Sequence, residues 1–167
     1  MRRKLGWALF TIAVLIFTAS QTAFAEPRTE VQLGKGVVSE GAQENYFLFL
    51  SHRPEELQKD WRLHYGVFGG KDGKVYNIVG FDWYMNAYVP YDKGASPLVQ
   101  VGVGLSFFDK LTPNLGSQLE LHIFGKLGGV KGNQYYALSA DHWSNGGLTK
   151  NNDGENFLSI TWGIFWK

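Results

Sequence analysis

Residues 117–127 read SQLELHIFGKL. Taken alternately, Leu119, Leu121, Ile123, Gly125 and Leu127 fall on one side, and Gln118, Glu120, His122, Phe124 and Lys126 on the other. Successive side chains of a strand point to opposite faces, so this segment has an aliphatic wall and a charged, polar wall. A soluble barrel would turn the aliphatic wall inward. A membrane barrel turns it toward lipid and fills its narrow interior with hydrogen-bonded polar groups, with glycines to relieve crowding. Acid, base, imidazole and amide on one short wall suit such an interior, and the membrane arrangement is expected.

The pattern extends to both sides. In 97–108, Val99, Val101, Val103, Leu105 and Phe107 oppose Gln100, Gly102, Gly104 and Ser106. In 75–89, Val75, Val79, Phe81, Trp83, Met85 and Val89 share a side, with Asn77 as the exception. Strands are predicted at 29–38, 44–52, 60–68, 75–89, 97–108, 117–127, 133–144 and 156–166. Turn signals separate them: Ser39-Glu40-Gly41, Arg53-Pro54-Glu55, Gly69 to Gly73, Asp92-Lys93-Gly94, Pro113-Asn114, Lys131-Gly132-Asn133 and the Gly/Asn-rich 145–154. An even count of strands about ten residues long predicts an all-β, eight-stranded antiparallel transmembrane β-barrel. The first two segments alternate poorly, and their faces are not assigned. Trp61, Trp83, Trp143, Trp162, Trp166 and Tyr88 lie near strand ends, where interfacial girdles place aromatics.

Composition agrees. Among 167 residues there are 21 Gly, 12 Phe, 8 Tyr and 6 Trp, a mixture that favours strands over helices. Residues 1–25 are expected to be a secretory signal peptide: Arg2-Arg3-Lys4, an apolar core from Leu9 to Phe17, and Ala23-Phe24-Ala25 as the cleavage motif. The barrel would then occupy 26–167. Removing those three basic residues leaves 13 Lys+Arg of the 16, against 15 Asp+Glu, so nothing draws the chain to nucleic acid. With no cysteine, neither a disulfide framework nor a thiolate metal site is available. No segment after the signal is an apolar run long enough for a spanning helix. These features point to the outer membrane of a Gram-negative bacterium. The alternatives are a non-catalytic small outer-membrane barrel and a soluble periplasmic lipid-binding barrel.

His142 and Ser144 are two apart on the seventh segment, on one side with Tyr136, Leu138 and Ala140. A general base beside a hydroxyl nucleophile on the lipid-facing wall points to a lipid ester as substrate. In the eighth segment Asn156 shares a side with Leu158, Ile160, Trp162 and Ile164, while Glu155 falls inward or into the loop. With both termini periplasmic, the connection after Ser144 is extracellular, at the level of the lipopolysaccharide leaflet. His52, His64 and His122 have no metal-ligand spacing. His64 and His122 read as satisfied interior histidines, with Asp82 and Glu120 pairing with Arg62 or Lys126. Gly69 to Lys74 reads as a hairpin turn, and Lys71, Lys74, Lys110 and Lys150 lie near loops where lipopolysaccharide phosphates would be in reach.

The string His142-Trp143-Ser144-Asn145-Gly146-Gly147-Leu148, followed by Asn152-Asp153-Gly154 and an aromatic and aliphatic last strand, resembles the PagL family of lipid A 3-O-deacylases. The resemblance is specific over roughly the last 30 residues. It implies an eight-stranded outer-membrane esterase that releases the 3-hydroxyacyl chain at position 3 of lipid A. It also implies Ser144 as nucleophile and His142 as base, with Asn145 and Asn152 as oxyanion donors; such ester chemistry needs no metal or cofactor, and none is expected. Ungapped spacing puts the family's acidic orienter at Asn156, a departure. Glu155 is the alternative third member if a bulge turns it outward. An asparagine can orient a histidine without charge, and a slower enzyme is then expected. Oligomeric state is left open.

Overall fold

The computed structural model describes residues 28–36, 46–53, 61–70, 72–88, 96–150 and 153–165. Eight strands follow one another: β1 Arg28–Gly36, β2 Tyr46–Arg53, β3 Trp61–Gly69, β4 Val75–Tyr88, β5 Ser96–Phe108, β6 Leu119–Lys131, β7 Gln134–Ser144 and β8 Glu155–Phe165. Each pairs antiparallel with the next, and β1 pairs with β8 to close the barrel. The expected barrel is therefore present. The main shift in bounds is β6, which runs on to Lys131 and reaches β7 through Gly132-Asn133, with Gly132 at φ 62°. The segment expected to be a signal peptide lies outside the described residues.

Side-chain burial alternates along the strands and decides what surrounds the barrel. Leu33, Leu50, Leu63, Val79, Val103, Ile123, Leu138, Leu158 and Ile160 point outward and are exposed. Arg28, Glu30, Arg62, Asp82, His122, Lys126 and Asp141 point inward and are buried. An apolar belt around a charged interior is the membrane arrangement and excludes the soluble, inside-out one.

The interior has two tiers. Near one end Phe47, Phe49, Phe68, Tyr76, Ile78, Phe108, Leu115, Trp143 and Phe157 form an aromatic core. Inward glycines make room for it: a Cβ at Gly34 or Gly66 would collide with the rings of Phe47 or Phe49. Beyond it lies an ionic tier. Asp82 accepts from Arg62 Nε at 2.8 Å and pairs with His64 Nδ1 at 3.1 Å and His122 Nδ1 at 2.8 Å. Glu30 accepts from Arg62 and Lys126, both at 2.7 Å. Asp141 accepts from Gln32, at 2.8 Å on one oxygen and 3.0 Å on the other, and from Ser159 at 2.8 Å. His64 and His122 are interior histidines as expected, and Arg62 meets Asp82. Lys126 meets Glu30 rather than Glu120, whose carboxylate takes the Ser117 hydroxyl at 2.8 Å.

Trp143 does not belong to the girdle. It sits inward, fully buried, its ring 4.2 Å from that of His122 and parallel within 2°. Its Nε1 donates to Ser106 Oγ at 3.1 Å. It lies next to the end of β7, but parity turns it into the core. Trp61, Trp83 and Trp162 do face outward, while Trp166 and the Tyr88 side chain lie outside the described residues.

Candidate active site

The β7–β8 register places His142 directly opposite Asn156. Both are on the outward face, and His142 Nδ1 lies 2.9 Å from Asn156 Oδ1. A carbonyl oxygen only accepts, so Nδ1 is the donor of this contact, and in the neutral imidazole Nε2 is then the nitrogen with the lone pair. Ser144 shares this face two residues further along β7, about 6.7 Å away along the strand. Both His142 and Ser144 are half-buried. They are not hydrogen-bonded to each other. Such bonds often tighten only with substrate in place. The arrangement holds an imidazole in the tautomer a general base needs, beside a hydroxyl on the same wall.

Glu155 faces the other way. It is buried inside the barrel, opposite Trp143 in register, and its Oε1 accepts from Asn114 Nδ2 at 2.5 Å. The side chain that meets His142 is that of Asn156. Asn145 also turns inward, where its Nδ2 donates to Leu115 O at 2.5 Å and to Thr149 Oγ1 at 2.6 Å, while its Oδ1 accepts from Gly147 N–H at 2.8 Å. An oxyanion contact from Asn145 would thus come from its backbone. Gly146 and Gly147 take φ of 63° and 85° and make the tight turn behind Ser144. Asn152 lies outside the described residues.

An apolar groove of about 420 Å³ starts at His142 and Asn156 and runs across β6 and β5 to β4. Trp83, Met85, Val103 and Ile123 wall it, and Gly125 lies in its floor, where an added Cβ would have nothing within 4 Å. The volume is in the range of small-ligand clefts. Unlike most such clefts, it opens on the lipid-facing wall. Alternation alone could not show this groove, because it comes from five strands, β4 to β8, brought side by side.

Two features eluded sequence reasoning for a different reason. Gly154, buried at φ 68°, lies against the imidazole: a Cβ there would come 2.8 Å from His142 Cε1. Ligand atoms of His64, Asp82 and His122 lie within 4.8 Å of one another, although their spacing in sequence suggests no such cluster. The Asp82 carboxylate there already carries Arg62 and both imidazoles.

The fold is that of solved outer-membrane barrels. The chain shares 24% identity with the crystal structure of the outer membrane enzyme PagL, at a TM-score of 0.64 over 82% of this chain and 99% of that one. With the N-terminal β-barrel domain of Pseudomonas aeruginosa OprF it shares 16% identity, at a TM-score of 0.53 over 87% and 100%. No curated protein matches the sequence. The family model for lipid A 3-O-deacylase (PagL) matches residues 46–165, from the start of β2 to the end of β8. The chain belongs to the lipid A 3-O-deacylase (PagL) family.

Proposed function

We propose that this protein is an outer-membrane lipid A deacylase and that it hydrolyses the 3-O-linked 3-hydroxyacyl ester through Ser144. The observation that carries the reading is the outward His142–Asn156 pair, with Ser144 on the same wall, at the head of an apolar groove facing lipid. A groove there receives an acyl chain without lifting it from the bilayer. The long loops 109–118 and 145–154 are at the site's end of the barrel, and the two-residue Gly132-Asn133 turn is at the other. Short turns are periplasmic and long loops extracellular in such barrels, and this contrast supports a site at the outer leaflet.

In this mechanism Ser144 Oγ attacks the ester carbonyl as His142 Nε2 takes its proton. Backbone N–H groups of the glycine-rich turn after Ser144 hold the oxyanion, worth about 10²–10³ in rate for each well-placed donor. The carbon–oxygen bond to the sugar breaks, and the imidazolium returns its proton to the sugar oxygen. Water then attacks the acyl-serine by the same route and frees the 3-hydroxy fatty acid. Lipid A is the partner; the reaction needs no metal or cofactor.

Asn156 limits the rate in this scheme. Its amide fixes the tautomer of His142 but brings no negative charge to the imidazolium formed during attack. Replacing an orienting carboxylate with an amide costs up to about 10⁴ in kcat in serine proteases. Asn156→Glu is therefore expected to raise kcat by about tenfold or more, and Asn156→Leu to lower it, as read by fatty-acid release in mixed micelles. A slower Asn156→Glu enzyme would remove Asn156 from the orienting role. The proposal as a whole is tested by incubating purified, folded protein with lipid A and identifying the released acid. Free 3-hydroxy fatty acid is expected; intact lipid A would leave a non-catalytic barrel.

A further inference from the structure

The facing ends of β7 and β8 carry the reacting constellation, and one dipeptide of a neighbouring loop grips both sides of the connection between them. On the first arm, Asn145 follows Ser144 and donates through Nδ2 to Leu115 O. On the second arm, Asp153 N–H donates to Asn114 O at 3.0 Å, and Glu155 Oε1 accepts from Asn114 Nδ2 at 2.5 Å. Between those two contacts lies Gly154, whose backbone abuts His142. Asn156, which meets His142 Nδ1, is the next residue after Glu155.

The gripping dipeptide is itself held. Leu115 is fully buried in the aromatic core with Trp143 and Phe157. Its N–H donates to Thr112 Oγ1 and Gly116 N–H donates to Thr112 O, both at 3.2 Å. The loop between β5 and β6 is thus plugged into the barrel at Leu115, with Asn114 reaching sideways.

We propose that Asn114 is a positioning residue for the deacylation, and that Glu155 is its anchor rather than the acid of the site. Asn114 fixes the Asp153–Glu155 segment, which sets Gly154 against Cε1 of the imidazole and Asn156 against the adjoining Nδ1. A shift of about 1 Å in such a support costs on the order of 10² in rate. This assignment rests on the proposed reaction at Ser144 and His142.

The pair gives its own rescue experiment. Asn114→Asp removes the amide donor and sets two carboxylates against each other. It is expected to lower kcat by about 10- to 100-fold, with KM changed less than about threefold and the heat-dependent gel mobility of the folded barrel kept. Glu155→Gln retains an accepting oxygen and is expected to keep most of kcat and the pH profile. In Asn114→Asp with Glu155→Gln the donor and acceptor are exchanged, and kcat is expected to return to within about threefold of the unmutated enzyme. Hydrogen exchange reads the clamp without activity: in Asn114→Asp, amides of residues 145–150 and 153–155 are expected to exchange faster while strand amides do not change. Unaltered kcat and exchange in Asn114→Asp would overturn the proposal. So would a loss that Glu155→Gln fails to restore, or a Glu155→Gln enzyme with a displaced pH profile, which would make Glu155 an acid of the site. If the unmutated protein releases no fatty acid, the functional reading fails, and exchange still decides the clamp.

Discussion

His142→Ala is expected to lower fatty-acid release by about 10⁴ or more, with the barrel still folded. Without the imidazole nothing takes the Ser144 proton during attack, and nothing returns one to the leaving sugar oxygen. Groups that act as a unit are strongly non-additive, so Ser144→Ala and His142→Ala combined should be no slower than Ser144→Ala alone. The variant should fold, because His142 lies on the outward wall and, among the described residues, its side chain hydrogen-bonds to Asn156 at the surface. Release rates from purified variants in mixed micelles, with heat-dependent gel mobility as the folding control, check both statements. A His142→Ala enzyme within about tenfold of the unmutated rate would remove the imidazole from the chemistry.

Asp82→Ala carries the largest expected effect on stability. Its buried carboxylate holds Arg62, His64 and His122 together, and Arg62 and Lys126 converge in turn on Glu30. Removing one partner of a buried ion pair leaves a charge without compensation, at a cost of about 3–5 kcal/mol. At an m-value of about 1–3 kcal/mol per molar urea, the unfolding midpoint falls by at least about 1 M. Adding Arg62→Met to Asp82→Ala removes the guanidinium whose Nε has lost its acceptor, leaves Glu30 paired with Lys126, and should recover part of the loss. The midpoint is read from the tryptophan fluorescence of protein in lipid vesicles. A change below about 1 kcal/mol would mean that water enters the ionic tier and solvates Arg62.

The later strands were legible because their two walls differ in kind. Leu119, Leu121 and Ile123 against Glu120, His122 and Lys126 leave one assignment of faces. In β2 the inward Phe47 and Phe49 alternate with the outward Leu48 and Leu50, so both walls are apolar and alternation vanishes. In β1 the outward wall begins at Thr29 and runs to Lys35, which blurs its two aliphatics against the inward Arg28, Glu30 and Gln32. Expecting a polar interior also hid the aromatic tier, and with it the place of Trp143.

The outward pair at the site follows the same parity rule. His142 and Asn156 share a wall because both are even-numbered on adjacent strands in an even register, and Glu155 points inward for the same reason. What parity cannot reach is contact between loops. Asn114 meets Glu155 across 41 residues of chain, and residues 109–118 carry no periodicity that would announce it. The groove is equally non-local, since Gly125 makes a depression only beside Trp83, Met85 and Val103.

The central claim is that Ser144 on the lipid-facing wall removes an acyl chain from lipid A in the outer leaflet. The most direct measurement is mass spectrometry of lipid A from cells producing the protein, beside cells producing equal amounts of membrane-inserted Ser144→Ala. Lipid A lighter by one 3-hydroxyacyl chain with the unmutated protein, and full-length lipid A with Ser144→Ala, is the expected result. Lipid A shortened equally by both proteins would contradict the nucleophile, and lipid A unchanged by either would contradict the deacylase.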